Sequence, residues 1–324
     1  MFLARPSALR RLGVLGMNQR NVDVISHWNS RKSYPIVDNK LKTKQAAEAQ
    51  GVAVPELLGV ISHQFEVKHL RKVLRMSREF VIKPAQGSGG KGILVIVGRE
   101  RGRYIKPSGV KLTLLDLQRD VSNILSGLYS LGGRPDVAMI ETLVRFDERL
   151  APYSYEGVPD IRIVVYRGYP VMAMMRCSTH SSDGKANLHQ GAVGVGIDIA
   201  EGNSLSAVQN SRLVDVHPDT GQSFRDLQLP HWHSILKLAA GCYEMTGLGY
   251  LGVDVVIDKN HGPLILELNA RPGLAIQVAN QQGLGLRLRR VDALIDPAHD
   301  IAERVRISAR EFGRLGQGNP LQGW

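Results

Sequence analysis

The sequence predicts a fold that mixes helices and β-strands, of the α/β or α+β class, and three observations predict it. Segments with helical and strand-like spacing alternate between residues 38 and 144. Two pairs of β-branched runs follow, over 161–175 and 253–268, each joined by a turn rich in glycine or polar residues. Finally, a chain of 324 residues with 43% hydrophobic and 22% charged content can bury a large core. That length allows one large domain or two or three lobes.

Taken in order, the start MFLARPSALRRLGVLG is Arg-rich and free of acid, so a transit peptide is weighed against an ordinary basic segment, and the second is preferred. Residues 38–51 spell a short helix: Asp38 or Asn39 can cap it, its middle is rich in Ala, Lys and Gln, and Gly51 can end it. An extended run follows through Ile61. Residues 65–76 show helical apolar spacing at Phe65, Val67, Leu70, Val73 and Leu74. Strand 79–83 then delivers Lys83 into a glycine-rich loop, Ala85 to Gly92, and an apolar strand leaves the loop at Ile93.

That loop contains Gly87, Ser88, Gly89 and Gly90, and its backbone N–H groups can close on an anion while Lys83 and Lys91 add charge. It is neither a Walker A loop nor a dinucleotide fingerprint, because a strand follows instead of a helix. The plain alternative is a flexible hairpin turn with a solvated lysine. Residues 98–111 read as a basic, solvated hairpin. Thr113 with Asp116 three residues later opens a helix that runs to Leu131, with Leu117, Val121, Ile124, Leu125 and Leu128 on one stripe and Gly132-Gly133 as its end. Strand 137–144 holds one acid, Glu141, which must sit at an edge or serve a ligand.

In the second half, Asp160 and Arg162 flank Ile161 and share a strand face. Residues 178–196 are too polar and Gly-rich for core and read as a mobile loop, with Lys185, Asn187 and His189 alternating along it. A helix over 231–247 leads into the stretch on which the chain is centred, GYLGVDVVIDKNHGPLILELNARPG. This is a hairpin closed near Asn260. It sets Asp254 roughly opposite Glu267 and Asn269, and three oxygen side chains suit a hard cation such as Mg²⁺. The alternative is an ordinary hairpin whose acids face water. The last dozen residues read as a poorly ordered tail.

The formal net charge of +11 asks for an anionic partner: nucleic acid, an anionic membrane surface or a polyphosphate substrate. The basic residues are scattered without interleaved aromatics, so nucleic acid ranks low. No window holds 18 consecutive apolar residues, hence no transmembrane segment is expected. Cys177 and Cys242 form no metal or redox motif and read as buried thiols in a reduced, cytoplasmic setting.

Together DNKLKTKQAAEAQGVAVP, IKPAQGSGGKGILV, PDIRIVVY, KANLHQGA, GVDVV and LELNARPGL, in this order, resemble the ATP-grasp enzymes, and within them the RimK-like α-L-glutamate ligase-related proteins, over roughly residues 36–275. The resemblance implies an α+β ATP-grasp fold in which two lobes grip ATP. The implied domains are an N-terminal extension (1–37), a grasp domain (38–280, with lobes of about 38–140 and 141–280), and a basic C-terminal helix and tail (281–324). It implies that Lys40, Lys83, the Gly87-Ser88-Gly89-Gly90 flap, the linker residues Glu141 and Thr142, and Asp160 contact the nucleotide. By the same resemblance Arg176, Lys185 and Asn187 meet phosphate and acyl-phosphate groups, and Asp254, Glu267 and Asn269 hold Mg²⁺, two ions in all, with Mn²⁺ as an alternative.

The implied activity is ATP-dependent carboxylate–amine ligation through an acyl phosphate, with small-molecule or peptide carboxylates and amines as substrates, glutamate or a peptide among them. An ATP-dependent phosphotransferase and a non-catalytic Mg·ATP-binding regulatory module are the alternatives on the same fold. Two departures from the RimK pattern stand out. Fewer than forty residues precede Lys40, too few for the α/β domain that usually comes first. The chain also continues past Gly273 into a basic stretch carrying Arg287, Arg289, Arg290 and Arg304, which either binds an acidic acceptor or packs.

Overall fold

A computed structural model describes residues 6–87, 90–130 and 132–314. The chain divides into two compact units, a smaller one of Asp38–Glu48 with Val54–Arg145 and a larger one of Met1–Val37, Ala49–Ala53 and Phe146–Trp324.

In the smaller unit, strands β1 (Leu57–Ile61), β2 (Phe80–Pro84), β3 (Leu94–Ile96) and β7 (Ala138–Thr142) make an antiparallel sheet in the order β1-β7-β2-β3. The basic excursion forms a separate sheet of β4 (Gly98–Glu100), β5 (Arg103–Ile105) and β6 (Lys111–Leu112). Helix Leu114–Leu125 covers the core with Leu117, Val121 and Ile124, packed with Phe80, Ile82, Ile96 and Ile140. Its N-terminus is the capping box read from the sequence: the Thr113 hydroxyl accepts the Asp116 N–H, and the Asp116 carboxylate accepts the Thr113 N–H.

Two expectations for this unit are corrected. The helix stops at Leu125 instead of Leu131, and Leu128, expected on the buried stripe, is exposed. Gly127 ends it: its φ is +84°, and a Cβ there would lie 2.3 Å from the Arg134 carbonyl oxygen. The helix expected over 65–76 is a 3₁₀ turn, Gln64–His69, followed by one turn of α-helix, Leu70–Val73. The tighter 3₁₀ period turns Val67 and Leu70 inward and leaves Phe65 in solvent.

The larger unit is built on a seven-stranded antiparallel sheet. Its strands are β8 (Asp160–Tyr166), β9 (Tyr169–Cys177), β10 (Val193–Ile197), β11 (Ser204–Gln209), β12 (Arg212–Val214), β13 (Tyr250–Asp258) and β14 (Gly262–Asn269), in the order β12-β11-β10-β9-β8-β13-β14. β8 and β9 turn on Arg167 and Gly168, both at positive φ, as a two-residue hairpin requires. Every residue of β8, β10 and β13 is buried. The sheet therefore reads as continuous β-branched runs instead of alternating polar and apolar positions. The loop expected over 178–196 is corrected accordingly: its last residues are β10, paired on both sides, and Ser178 and Thr179 are fully buried because hydrogen bonds satisfy their hydroxyls.

Helix Trp232–Thr246 packs on β8, β9, β13 and β14, and helix Ile301–Phe312 packs on that helix and on β9. The basic C-terminal stretch is part of this framework. Arg287 is buried, donating to the Val171 carbonyl and to Gln282, and buried Arg304 pairs with Glu244, whereas Arg289 and Arg290 are exposed. Packing is thus the outcome for Arg287 and Arg304. The tail beyond Arg314 lies outside the described residues.

The N-terminal segment is also woven into the larger unit. Leu15 exchanges two hydrogen bonds with the Gln277 side chain, and the Arg20 guanidinium donates to the Pro272 carbonyl at 3.0 Å. Asn29 is buried and makes three bonds. It donates to the carbonyls of Tyr250 and Ala270 and accepts the Tyr250 N–H, so it ties the start of β13 to the residue after Asn269.

Cys177 and Cys242 are both fully buried, and burial pushes each thiol well above the ordinary range. Neither should react with a thiol reagent in the native protein, and both should react in denaturant. Stoichiometric labelling within minutes without denaturant would contradict this burial. Among the described residues no helix is long and apolar enough to cross a membrane.

Candidate active site

The residues expected at the site form two groups, one in each unit. In the larger unit the sheet register sets the geometry. Glu267 of β14 lies directly opposite Asp254 of β13, and Asp254 lies directly opposite Arg162 of β8. Asp160, two residues before Arg162, lies opposite Arg176 of β9. Cross-strand partners share a face, as do residues two apart, so Asp160, Arg162, Arg176, Asp254, Glu267 and Asn269 project from one face of four adjacent strands. The hairpin reading of 249–273 therefore holds at the level of register, with Asn269 two positions beyond Glu267.

Buried charge at this density has to be compensated. Arg162 grips Asp254 through both its Nε and its Nη2, the latter at 2.7 Å. Arg176 makes the same two-pronged contact with Asp160 and reaches Asp254 Oδ2 from Nη2 at 2.8 Å. Gly252 makes room for this arrangement, since a Cβ there would press on the Arg162 side chain and on Pro272. Burial raises Asp160, with Arg176 pulling down and Asp254 pushing up. Asp254 is buried as deeply, but the charges of Arg162 and then Arg176 outweigh desolvation and hold it ionised, below the usual carboxylate range. Burial opposes the charge of Arg176, and the two carboxylates restore it.

Glu267 and Asn269 are half-buried, and the Asn269 Oδ1 accepts the Arg271 N–H at 2.7 Å. Asp254, Glu267 and Asn269 bring two carboxylates and an amide oxygen onto paired strands, donors of the hard type that Mg²⁺ takes, with both Asp254 oxygens engaged here by Arg162 and Arg176. Among the described residues no three His, Cys, Asp or Glu side chains cluster as a metal cage. A cation held by this set would keep water or phosphate oxygens as its other ligands.

Lys185 and Asn187 do not join this row. Lys185 pairs with Asp183 at 3.0 Å, and Asn187 caps its own turn by accepting the His189 N–H.

The smaller unit carries the second group. Lys83 on β2 and Lys44 on helix Lys40–Ala49 both meet Glu141 on β7, at 2.6 and 2.9 Å, and all three are buried. The Lys44 contact is an ion pair without good hydrogen-bond alignment, because the Lys44 ammonium is aimed at the Pro55 carbonyl. Burial lowers Lys44, and Glu141 only partly opposes it. Glu141 is therefore not at an edge. It sits on an interior strand, and two lysines pay for its burial. Thr142, next to it, exchanges hydrogen bonds with Glu56: its N–H donates to the Glu56 carbonyl and its hydroxyl accepts the Glu56 N–H.

Lys40 anchors the glycine-rich loop from below, its N–H donating to the Ala85 carbonyl and its ammonium to the Gly87 carbonyl at 2.7 Å. The Asp136 carboxylate accepts the Gln86 N–H, and Gly87 pairs with Ser130. Ser88 and Gly89 lie outside the described residues. Gly90 is exposed at positive φ, while Gly92, also at positive φ, lies against the Tyr129 ring, where a Cβ would come within 2.4 Å.

Sequence reasoning did not single out Lys44, Arg162 or Asn29 as site residues. Lys44 lies one helical turn after Lys40, and that spacing is a legible signal. Arg162 was visible as the face-mate of Asp160. Nothing in the sequence marks Asn29.

A family profile described as "Sugar-transfer associated ATP-grasp" matches residues 19–293. A protein named "Probable alpha-L-glutamate ligase" from Maridesulfovibrio salexigens is 28% identical over 115 residues, which is 36% of this chain. The chain spans only 27% of that relative's length. Among solved structures, the ATP-grasp ligase PsnB complexed with minimal precursor aligns at 13% identity and a TM-score of 0.44, over 82% of this chain and 62% of that one. D-alanyl-alanine synthetase A from Vibrio cholerae O1 biovar eltor aligns at 10% identity and a TM-score of 0.47, over 86% and 66%. The superfamily expected from the order of the motifs is the one the profile matches over most of the chain, and this protein belongs to the sugar-transfer associated ATP-grasp family.

Proposed function

We propose that this protein is an ATP-dependent carboxylate–amine ligase. The observation that carries the reading is the single sheet face on which Glu267, Asp254, Arg162, Asp160 and Arg176 stand in register, with Asn269 at its end. Asp254, Glu267 and Asn269 are the residues that would hold Mg²⁺. When bound, the ion supplies Lewis-acid stabilisation of the phosphoryl oxygens.

In the proposed reaction a substrate carboxylate oxygen bonds to the γ-phosphorus of ATP, and the bond to the β-phosphate oxygen breaks. An acyl phosphate and ADP result. An amine nitrogen then bonds to the acyl carbon, phosphate leaves and a proton is released, giving an amide. The chain's own part is positioning and electrostatics. Lys83, fixed by Glu141, and Lys40, fixed by the loop it supports, are assigned to the nucleotide phosphates together with the Gly87–Gly90 loop. Arg176 is locked between two carboxylates and offers a fixed cation for the phosphoryl group as it is transferred. Lys185 and Asn187, on a turn with only local contacts, are assigned to the acyl phosphate. No side-chain nucleophile is required, and both cysteines are buried and protonated.

Glutamate is the carboxylate suggested by the name of the curated relative, and the family description suggests an acceptor connected with sugar transfer. One observation favours a second reading. Both oxygens of Asp254 are engaged by guanidinium groups, which leaves Glu267 and Asn269 as the less encumbered donors and would suit a module that binds Mg·ATP without the full metal set that turnover needs.

ADP release from Mg·ATP, measured across a panel of amino acids, acidic peptides and amines, separates these readings. A ligase releases ADP and phosphate in equal amounts only when carboxylate and amine are both supplied. ADP release without free phosphate would point to a phosphotransferase, and binding with no release across the panel would favour the regulatory module.

A further inference from the structure

The smaller unit carries a basic surface that the proposed reaction does not use. Lys68, His69, Arg71, Lys72, Arg75 and Arg99 line one groove of about 430 Å³, and no carboxylate lines it. Lys68, Arg71, Lys72 and Arg75 form no ion pair with any described residue. The nearby acids are engaged elsewhere: Glu66 accepts the N–H groups of Ser62 and His63, Glu79 pairs with Arg145, and Glu100 pairs with Lys111.

The same segment exposes two large apolar side chains, one at each end of the basic run. Phe65 is 67% exposed and Met76 is 85% exposed. The segment is held against the core by Val67, Leu70 and Leu74, so its exposed residues are the basic ones with Phe65 and Met76, and Glu66 is half-buried among them. Exposed singly, such side chains need no explanation. Bracketing a basic strip whose single acid, Glu66, is turned to the Ser62 and His63 N–H groups, they match a surface that meets anionic headgroups and reaches the boundary of the acyl chains.

We propose that the 65–76 surface docks this protein on an anionic phospholipid bilayer, with Lys68, Arg71, Lys72 and Arg75 at the headgroup phosphates and Phe65 and Met76 inserted just beneath them. Nucleic acid fits less well. One face of the Phe65 ring is covered by His63, stacked at 5.6 Å, and Met76 offers no plane for a base. This surface is separate from the residues assigned to ligation, so its test is independent of that assignment.

Co-sedimentation of the full chain with vesicles provides the test. Binding is expected to vesicles of mixed phosphatidylglycerol and phosphatidylcholine and not to phosphatidylcholine alone, and it should weaken as salt rises from about 0.1 to 0.5 M. Arg71→Gln/Lys72→Gln/Arg75→Gln should lower the partition coefficient roughly 100-fold, at about fivefold per charge. Phe65→Ser/Met76→Ser should lower it about tenfold or more. Both variants change exposed positions, and melting curves matching wild type verify their fold. Equal binding to neutral vesicles, or full binding by the triple variant, would overturn the proposal. So would wild-type vesicle binding by the Phe65/Met76 variant together with competition by duplex DNA, which would mark the surface as a general polyanion site.

Discussion

Glu267→Ala is expected to lower nucleotide turnover on the order of 10³-fold, the loss of several kcal/mol of charge stabilisation, while the protein melts close to wild type. The two effects separate because Glu267 is half-buried on the last strand of its sheet, whereas its cross-strand partner Asp254 lies buried under two arginines. Asp254→Asn is the informative contrast. It leaves Arg162 and Arg176 short of a counter-charge, so both turnover and stability should fall. Kinetics and melting curves measured on the two variants side by side check this. A Glu267→Ala enzyme that turns over ATP at the wild-type rate would remove Glu267 from the mechanism.

The largest expected effect on stability lies in the other unit. Glu141→Ala should destabilise the protein by roughly 3–5 kcal/mol, because the variant leaves the Lys44 and Lys83 ammonium groups buried with no carboxylate between them. For a unit of this size the midpoint should drop by roughly 15 °C or more. The pH dependence has a definite sign. Burial already lowers Lys44 in the native protein, and losing Glu141 removes the charge that opposes this. The folded variant then binds fewer protons than its unfolded chain, so its stability should rise with pH toward the ordinary lysine range. Replacing the whole cluster, Lys44→Met/Lys83→Met/Glu141→Leu, should recover much of the stability without recovering activity, since Lys83 is assigned to the nucleotide phosphates. Thermal melts between pH 6 and 10 test the stability statements, and ADP release from Mg·ATP tests the activity of the triple variant. A Glu141→Ala protein that melts like wild type would show the cluster to be dispensable for folding.

How much of this was legible in the sequence depended on whether the signal was local. The hairpin around Asn260, the Thr113–Asp116 capping box and the strand–loop–strand at Lys83 are short-range patterns, and the structure reproduces each of them. The Asp254–Glu267 pairing follows from counting alternate residues outward from a recognised turn. What could not be read depends on neighbours distant in sequence. Glu141 looked like an acid seeking an edge or a ligand, but its partners lie 97 and 58 residues earlier and emerge only once β7 is placed beside β2. Asn29 reaches across 221 and 241 residues to Tyr250 and Ala270, which no local pattern could announce. The buried strand Val193–Ile197 was masked by its glycines: Gly194 and Gly196 pack against Leu188 and Ala279, so small size there reflects close packing instead of loop freedom.

The central claim, activation of a carboxylate by phosphorylation, is tested most directly by trapping the acyl phosphate. Wild type and Glu267→Ala would be incubated with Mg·ATP, a panel of candidate carboxylates and hydroxylamine, and hydroxamate would be measured alongside ADP. The account predicts hydroxamate that requires a particular carboxylate, forms in step with ADP, and disappears with Glu267→Ala. ADP formed with no hydroxamate for any carboxylate would contradict it.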